Sequence, residues 1–79
     1  MSIFLGPKPD RQHMQALHRC KLENPVLLDL IRQRLEDTKR SLIMADEQVR
    51  IHRLQGRAEV LMDFLEAVEK SPEILERAK

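Results

Sequence analysis

The side chains best equipped for chemistry in this 79-residue chain are three histidines and one thiol. His13, His18, His52 and Cys20 are the soft ligands that a metal such as zinc would use, and a zinc site needs three or four of them converging. On a helix, His13 and His18 are five positions apart and leave in different directions, as do His18 and Cys20 at two apart. The spacing therefore predicts no metal site. Nucleophilic chemistry fares no better. Ser2, Ser41 and Ser71 have no base at a spacing that would activate them, and Ser71 precedes a proline and reads as a helix cap. Two glycines are too few for a phosphate-cradling loop. The carboxylates recur at helical spacing, as on solvated faces, and form no converging acid–base pair. The expectation is a chain without catalysis, metal or cofactor.

The arginines are the remaining chemical resource. Arg32, Arg34, Lys39, Arg40, Arg50, Arg53 and Arg57 could meet phosphates. Acids interrupt the run, no groove-reading signature accompanies it, and no aromatic is placed to stack on a base. Nucleic-acid binding through a basic face is accordingly the lesser reading. The charge is also uneven: residues 1–58 hold 11 Lys/Arg against 7 Asp/Glu, and residues 59–79 hold 3 against 6. Copies packed head to tail or antiparallel, basic half on acidic half, would use that asymmetry.

The elements that must carry these residues are helices. Asp10 behind Pro9 is an N-cap signal and opens a helix over residues 10–23. Asn24-Pro25 is a second boundary, with proline in the first helical turn where its missing N–H costs nothing. From there to Lys70 the chain has no proline and one glycine. Acid-first pairs four apart, Glu36/Arg40, Asp46/Arg50 and Glu66/Lys70, support a helix. Ser71-Pro72 repeats the cap-plus-proline signal and predicts a short last helix over 71–79. Ahead of everything lies an irregular arm, residues 1–9, holding Gly6-Pro7-Lys8-Pro9 and the apolar tip Ile3, Phe4, Leu5. That tip either straps over the domain's own helices or docks on a neighbour. The fold class is all-α, in a single domain.

The segment 24–70 holds two apolar stripes. Leu28, Ile31, Leu35, Leu42, Ala45 and Val49 form one, with Thr38 in register. Ile51, Leu54, Ala58, Leu61, Leu65 and Val68 form the other, spaced 3, 4, 3, 4, 3. Val60, Met62, Phe64 and Ala67 widen the second arc, which suits a helix with two or more neighbours. The stripes differ in phase by two positions, a rotation of roughly 200°. Either the helix bends between Ala45 and Arg57 into a hairpin, or one helix shows different faces to different neighbours. Arg50, His52 and Arg53 ahead of Gly56 resemble a helix C-terminus. Arg57 offers no capping side chain for a new helix, which favours the unbroken form, a rod on the order of 69 Å. The residues expected to meet a partner are Ile3, Phe4, Leu5, Ile51, Leu54, Ala58, Leu61, Phe64, Leu65 and Val68, with residues 51–68 the main packing surface.

Residues 53–65, Arg53-Leu54-Gln55-Gly56-Arg57-Ala58-Glu59-Val60-Leu61 followed by Asp63-Phe64-Leu65, resemble a LQGRxxxLxDxL helix that closes short chains among small tailed-bacteriophage proteins. The resemblance covers about a fifth of the sequence. It implies a virion-associated accessory or structural protein, or a small host-takeover factor, and transfers no catalytic residue.

Composition sets the function class. Aromatics are 3% and charged residues 34%, with a net charge of +1. Such a chain is too apolar to be wholly disordered and is close to long helices in its usage. A single cysteine excludes an intramolecular disulfide framework and fits a reducing compartment. No apolar run reaches the length of a membrane span, and the first five residues lack the form of a secretion signal. The expected role is a structural or adaptor protein, cytoplasmic or in a virion, acting by helix packing in a homo-oligomer or multi-chain assembly. A small inhibitor or regulator of one cellular or host protein is the alternative.

Overall fold

A computed structural model describes residues 4–77 and is all-α. Helix α1 spans Arg11–Glu23, α2 Pro25–Met44 and α3 Gln48–Arg77. Local chemistry sets the first two boundaries. The Asp10 carboxylate accepts from the Gln12 N–H at 2.7 Å and caps α1. Asn24 alone separates α1 from α2. Its N–H donates to the Cys20 carbonyl, and its own carbonyl accepts from Leu27 and Leu28. The side chain of Asn24 makes no cap bond, so the joint works through backbone and Pro25 rather than through the expected side-chain cap.

The long segment is a hairpin, not a rod. It turns at Ala45, Asp46 and Glu47, between α2 and α3. No glycine or proline marks that turn. It falls where the two apolar stripes change phase, and folding back there lets the stripes face each other. A straight helix would leave one of them in water. Gly56, whose basic neighbours resembled a helix end, lies inside α3.

The C-terminal boundary also differs from expectation. Helix α3 runs through Pro72 to Arg77, so Ser71-Pro72 opens no separate helix. A proline inside a helix cannot donate to the carbonyl four residues back. Here that carbonyl belongs to Val68, and the Ser71 hydroxyl donates to it at 2.7 Å. Ser71 is fully buried. The hydroxyl replaces the donor that proline removed, one position earlier in the chain. Replacing Ser71 by Ala is therefore expected to cost about 1–3 kcal/mol, the range for leaving a buried acceptor unmade. In a Pro72→Ala background residue 72 regains its N–H, and the same Ser71→Ala change should cost less. Urea melts of the four chains in this cycle check it; equal costs in both backgrounds would refute the replacement.

Helix α3 is the spine: α1 and α2 each pack on it and little on each other. Arg11 and Gln15 share a cleft with Leu75 and Glu76, whereas Leu17 and Cys20 share one with Phe64. Helix α1 thus runs antiparallel to the second half of α3. Arg32 and Leu35 lie beside Leu65 and Glu69, and Thr38 and Ser41 beside Arg57 and Leu61. Helix α2 is therefore antiparallel to the first two-thirds of α3. The wide apolar arc of α3 serves these two neighbours on two sides. The core is Met14, Leu28, Leu35, Leu54, Ala58, Ala67 and Val68, with Thr38 and Ser71 as its polar members. Thr38 is in register as the pattern requires, and its hydroxyl donates to the Arg34 carbonyl at 2.8 Å. The Cα envelope measures 49 × 28 × 14 Å.

Candidate interaction surface

The stripe expected to face a partner is largely spent on the chain itself. Leu54, Ala58 and Val68 are buried in the seam, and Ile51, Leu61, Phe64 and Leu65 are half-buried there. Leu35, from the stripe ranked second, is 8% exposed, whereas Leu61 is only half-buried. The stripes are two sides of one seam, and the apolar stripe within residues 51–68 packs on the chain's own helices. Of the apolar tip, Phe4 stacks edge-to-face on Phe64, ring centroids 5.4 Å apart at 80°. Leu5 is half-buried, and Ile3 lies outside the described residues. Among the described residues of the arm, Phe4 lies over the α1–α3 contact, beside Leu17, Cys20 and Phe64.

The surface left open was missed by stripe reading. Ile43 and Met44 at the hairpin tip are 85% and 84% exposed, and Val49 begins α3 beside them. Around the α1–α2 joint, Leu22, Val26, Leu27 and Leu30 are exposed, and Val60 and Met62 are exposed along α3. A signal for them exists in the sequence. Val26-Leu27-Leu28 and Leu42-Ile43-Met44 are consecutive apolar triplets, which sweep roughly 200° of a helix and cannot all enter one seam.

Candidate chemical residues stay apart. Among the described residues no group of three or more His, Cys, Asp or Glu is placed so that it could hold a metal ion. His13 and Cys20 line a cleft of about 550 Å³ with Phe4, Ala16, Leu17 and Phe64, an apolar setting with a free thiol. Among the described residues the buried Nδ1 of His18 has no hydrogen-bond partner. It lies by a cleft of about 450 Å³ lined by Arg11, Arg19 and Glu76, a formal balance of one positive charge.

The charges mostly pair within their own helices. Asp29–Arg32, Glu36–Lys39 and Glu66–Lys70 stand at 3.2, 3.3 and 2.6 Å, and Asp37 receives Arg34 and Arg40 at 3.7 and 3.8 Å. Glu36 thus takes Lys39 rather than Arg40, and among the described residues no pair joins Asp46, now in the turn, to Arg50. The hydrogen bond from Lys70, then its charge, holds the Glu66 carboxyl below its usual range and raises Lys70. All these pairs are exposed and solvent screens them, so they tune the surface rather than hold the fold.

Gly56 has no role in the fold. It is exposed in mid-helix, and a methyl group there would meet nothing within 4 Å. Replacing Gly56 by Ala should stabilise the isolated chain by about 0.5–1 kcal/mol, the helix-propensity difference. A urea midpoint that falls instead would mean that the position is more constrained than its open surroundings indicate.

No helix among the described residues is long and apolar enough to cross a membrane. Compared with known proteins, the chain matches no family model, no curated protein and no solved structure.

Proposed function

We propose that this chain is a non-enzymatic structural module that works by packing its helix faces against other chains in an oligomer or larger assembly. The observation that carries this reading is surface area. The chain exposes 6205 Å². A compact monomer of 9.3 kDa exposes about 5,000 Å², so about 1,200 Å² is in excess. A partner typically covers about 800 Å² on each side of a stable interface, and the excess exceeds that share. Exposed apolar residues at the tip, at the joint and along α3 supply contact groups for such a partner. The resemblance of residues 53–65 to small tailed-phage proteins names one setting for such a module, a virion-associated assembly. Light scattering on the purified chain across a concentration series is the test. The mass is expected to rise above 9.3 kDa. A constant monomer mass up to high micromolar concentration would refute self-assembly and favour a regulator that waits for its target.

A further inference from the structure

We propose that copies of this chain join head to tail through α3, the arginine face of its first half seated on the glutamate face of the next copy's second half. The inference deepens the oligomer reading above and rests on it.

The face of α3 that α1 covers continues beyond α1. Ala67 and Ser71 lie on it and are fully buried. About two to five helical turns earlier the same face carries Val60, Gly56, Arg53 and Val49, all exposed. The reason is length: α1 has 13 residues and α3 has 30, about 20 Å against about 45 Å. The open half is therefore a helix-docking face without its helix. Gly56 sits at its middle, where a missing side chain admits a close neighbour.

Charge selects the occupant. Residues 48–58 hold three arginines, Arg50, Arg53 and Arg57, and no carboxylate, while residues 59–77 hold six carboxylates against Lys70 and Arg77. Among the described residues the three arginines form no ion pair. This order opposes the helix dipole, which favours acids at the start and bases at the end. The fold of one chain gives no return for it. Two such arginine faces would repel, so the face cannot pair with itself. An acidic helix satisfies it, and the chain carries one. Glu59, Glu66 and Glu73 are seven apart on the outer side of α3, with exposed Met62 among them; Lys70 pairs with Glu66 and Arg77 with Glu73 at 2.6 and 2.9 Å, which leaves the row net negative by one. Arg50 and Arg57 are also seven apart, and each such step rises about 10.5 Å, so the rows match. Set antiparallel, the two helices also oppose their dipoles.

The arginine and glutamate rows lie roughly 150° apart around α3, so no single partner copy can meet both. The contact is heterologous and propagates from copy to copy. The two faces hold only part of the exposed surface, so each link is small, near the lower edge of standard interfaces. Association in the micromolar range follows.

Sedimentation velocity of the full chain tests it. The average mass is expected to climb with concentration past the dimer without a plateau, and the climb should vanish at high salt. Arg50→Gln/Arg53→Gln/Arg57→Gln and Glu59→Gln/Glu66→Gln/Glu73→Gln alter exposed residues only, so both should keep wild-type helicity and associate at least about tenfold more weakly. Each retains one intact face. Their equimolar mixture should therefore form a one-to-one dimer and stop there. Gly56→Leu should also keep its helicity and lose association. If the wild type assembles and the variants do so equally well, this contact is wrong while the oligomer reading stands. A monomeric wild type overturns both. A mixture that forms no dimer, or a monomer that binds an oligothymidylate through the same arginines, overturns the head-to-tail pairing.

Discussion

Leu28→Asp is expected to unfold the chain, whereas Leu30→Asp, two residues further on, leaves it folded. Leu28 is 2% exposed and Leu30 is 45% exposed, although both are leucines of one helix. At Leu28 the substitution removes a buried apolar side chain and places a carboxylate where no donor waits. Burying a polar group unpaired costs several kcal/mol, and a charge costs more. A chain of 79 residues has about 4–12 kcal/mol in total. The loss at Leu28 therefore consumes most of it. At Leu30 the carboxylate stays in water. Far-ultraviolet circular dichroism at room temperature separates the two; equal loss of helix in both would mean that α2 turns a different face to α3.

Met14→Ala should have the next largest effect, about 2–5 kcal/mol for truncating a buried methionine. Met14 is 1% exposed and is the fully buried residue of α1. It is the peg that seats this short helix on α3. The expected phenotype is detachment of α1 rather than uniform softening, because α2 and α3 keep their own seam. Cys20 reports on this. Its thiol is half-buried beside Phe4 and Phe64. Thiol labelling in Met14→Ala should accelerate well before most of the helical signal is lost. If labelling and helix loss coincide, α1 is an inseparable part of the cooperative unit.

The reach of sequence reasoning differs by residue. Asp10 and Asn24-Pro25 announced their boundaries because helix starts are local chemistry, a side-chain cap at Asp10 and a proline in the first turn at Pro25. Ser71-Pro72 has the same local signature and the opposite outcome. Its hydroxyl serves the interior of a helix because α1 packs over that turn, a long-range circumstance. The turn at Ala45, Asp46 and Glu47 has no turn residues at all. Only the two-position shift between the Leu28 and Ile51 stripes marked it, and that shift fitted a rod with several partners as well as a hairpin. The candidate site shows the same division. Leu54, Ala58 and Val68 were recognisable as covered positions, since period and burial go together. What covers them was not, because a stripe looks alike whether its neighbour is the same chain or another. Arg53, Gly56 and Val60 stand out only once the end of α1 is seen.

The three-residue turn between α2 and α3 also bears on how the chain acquires its structure. Its ends are close in sequence, so the hairpin closes at small entropic cost and the seam can zip outward from the tip. Helix α1 depends on contacts far along the chain, with Phe64, Pro72 and Leu75. It is therefore expected to dock late and to be the first to leave. Amide exchange in the native state should then resolve two tiers, α1 opening at a fraction of the free energy that opens the middle of α3.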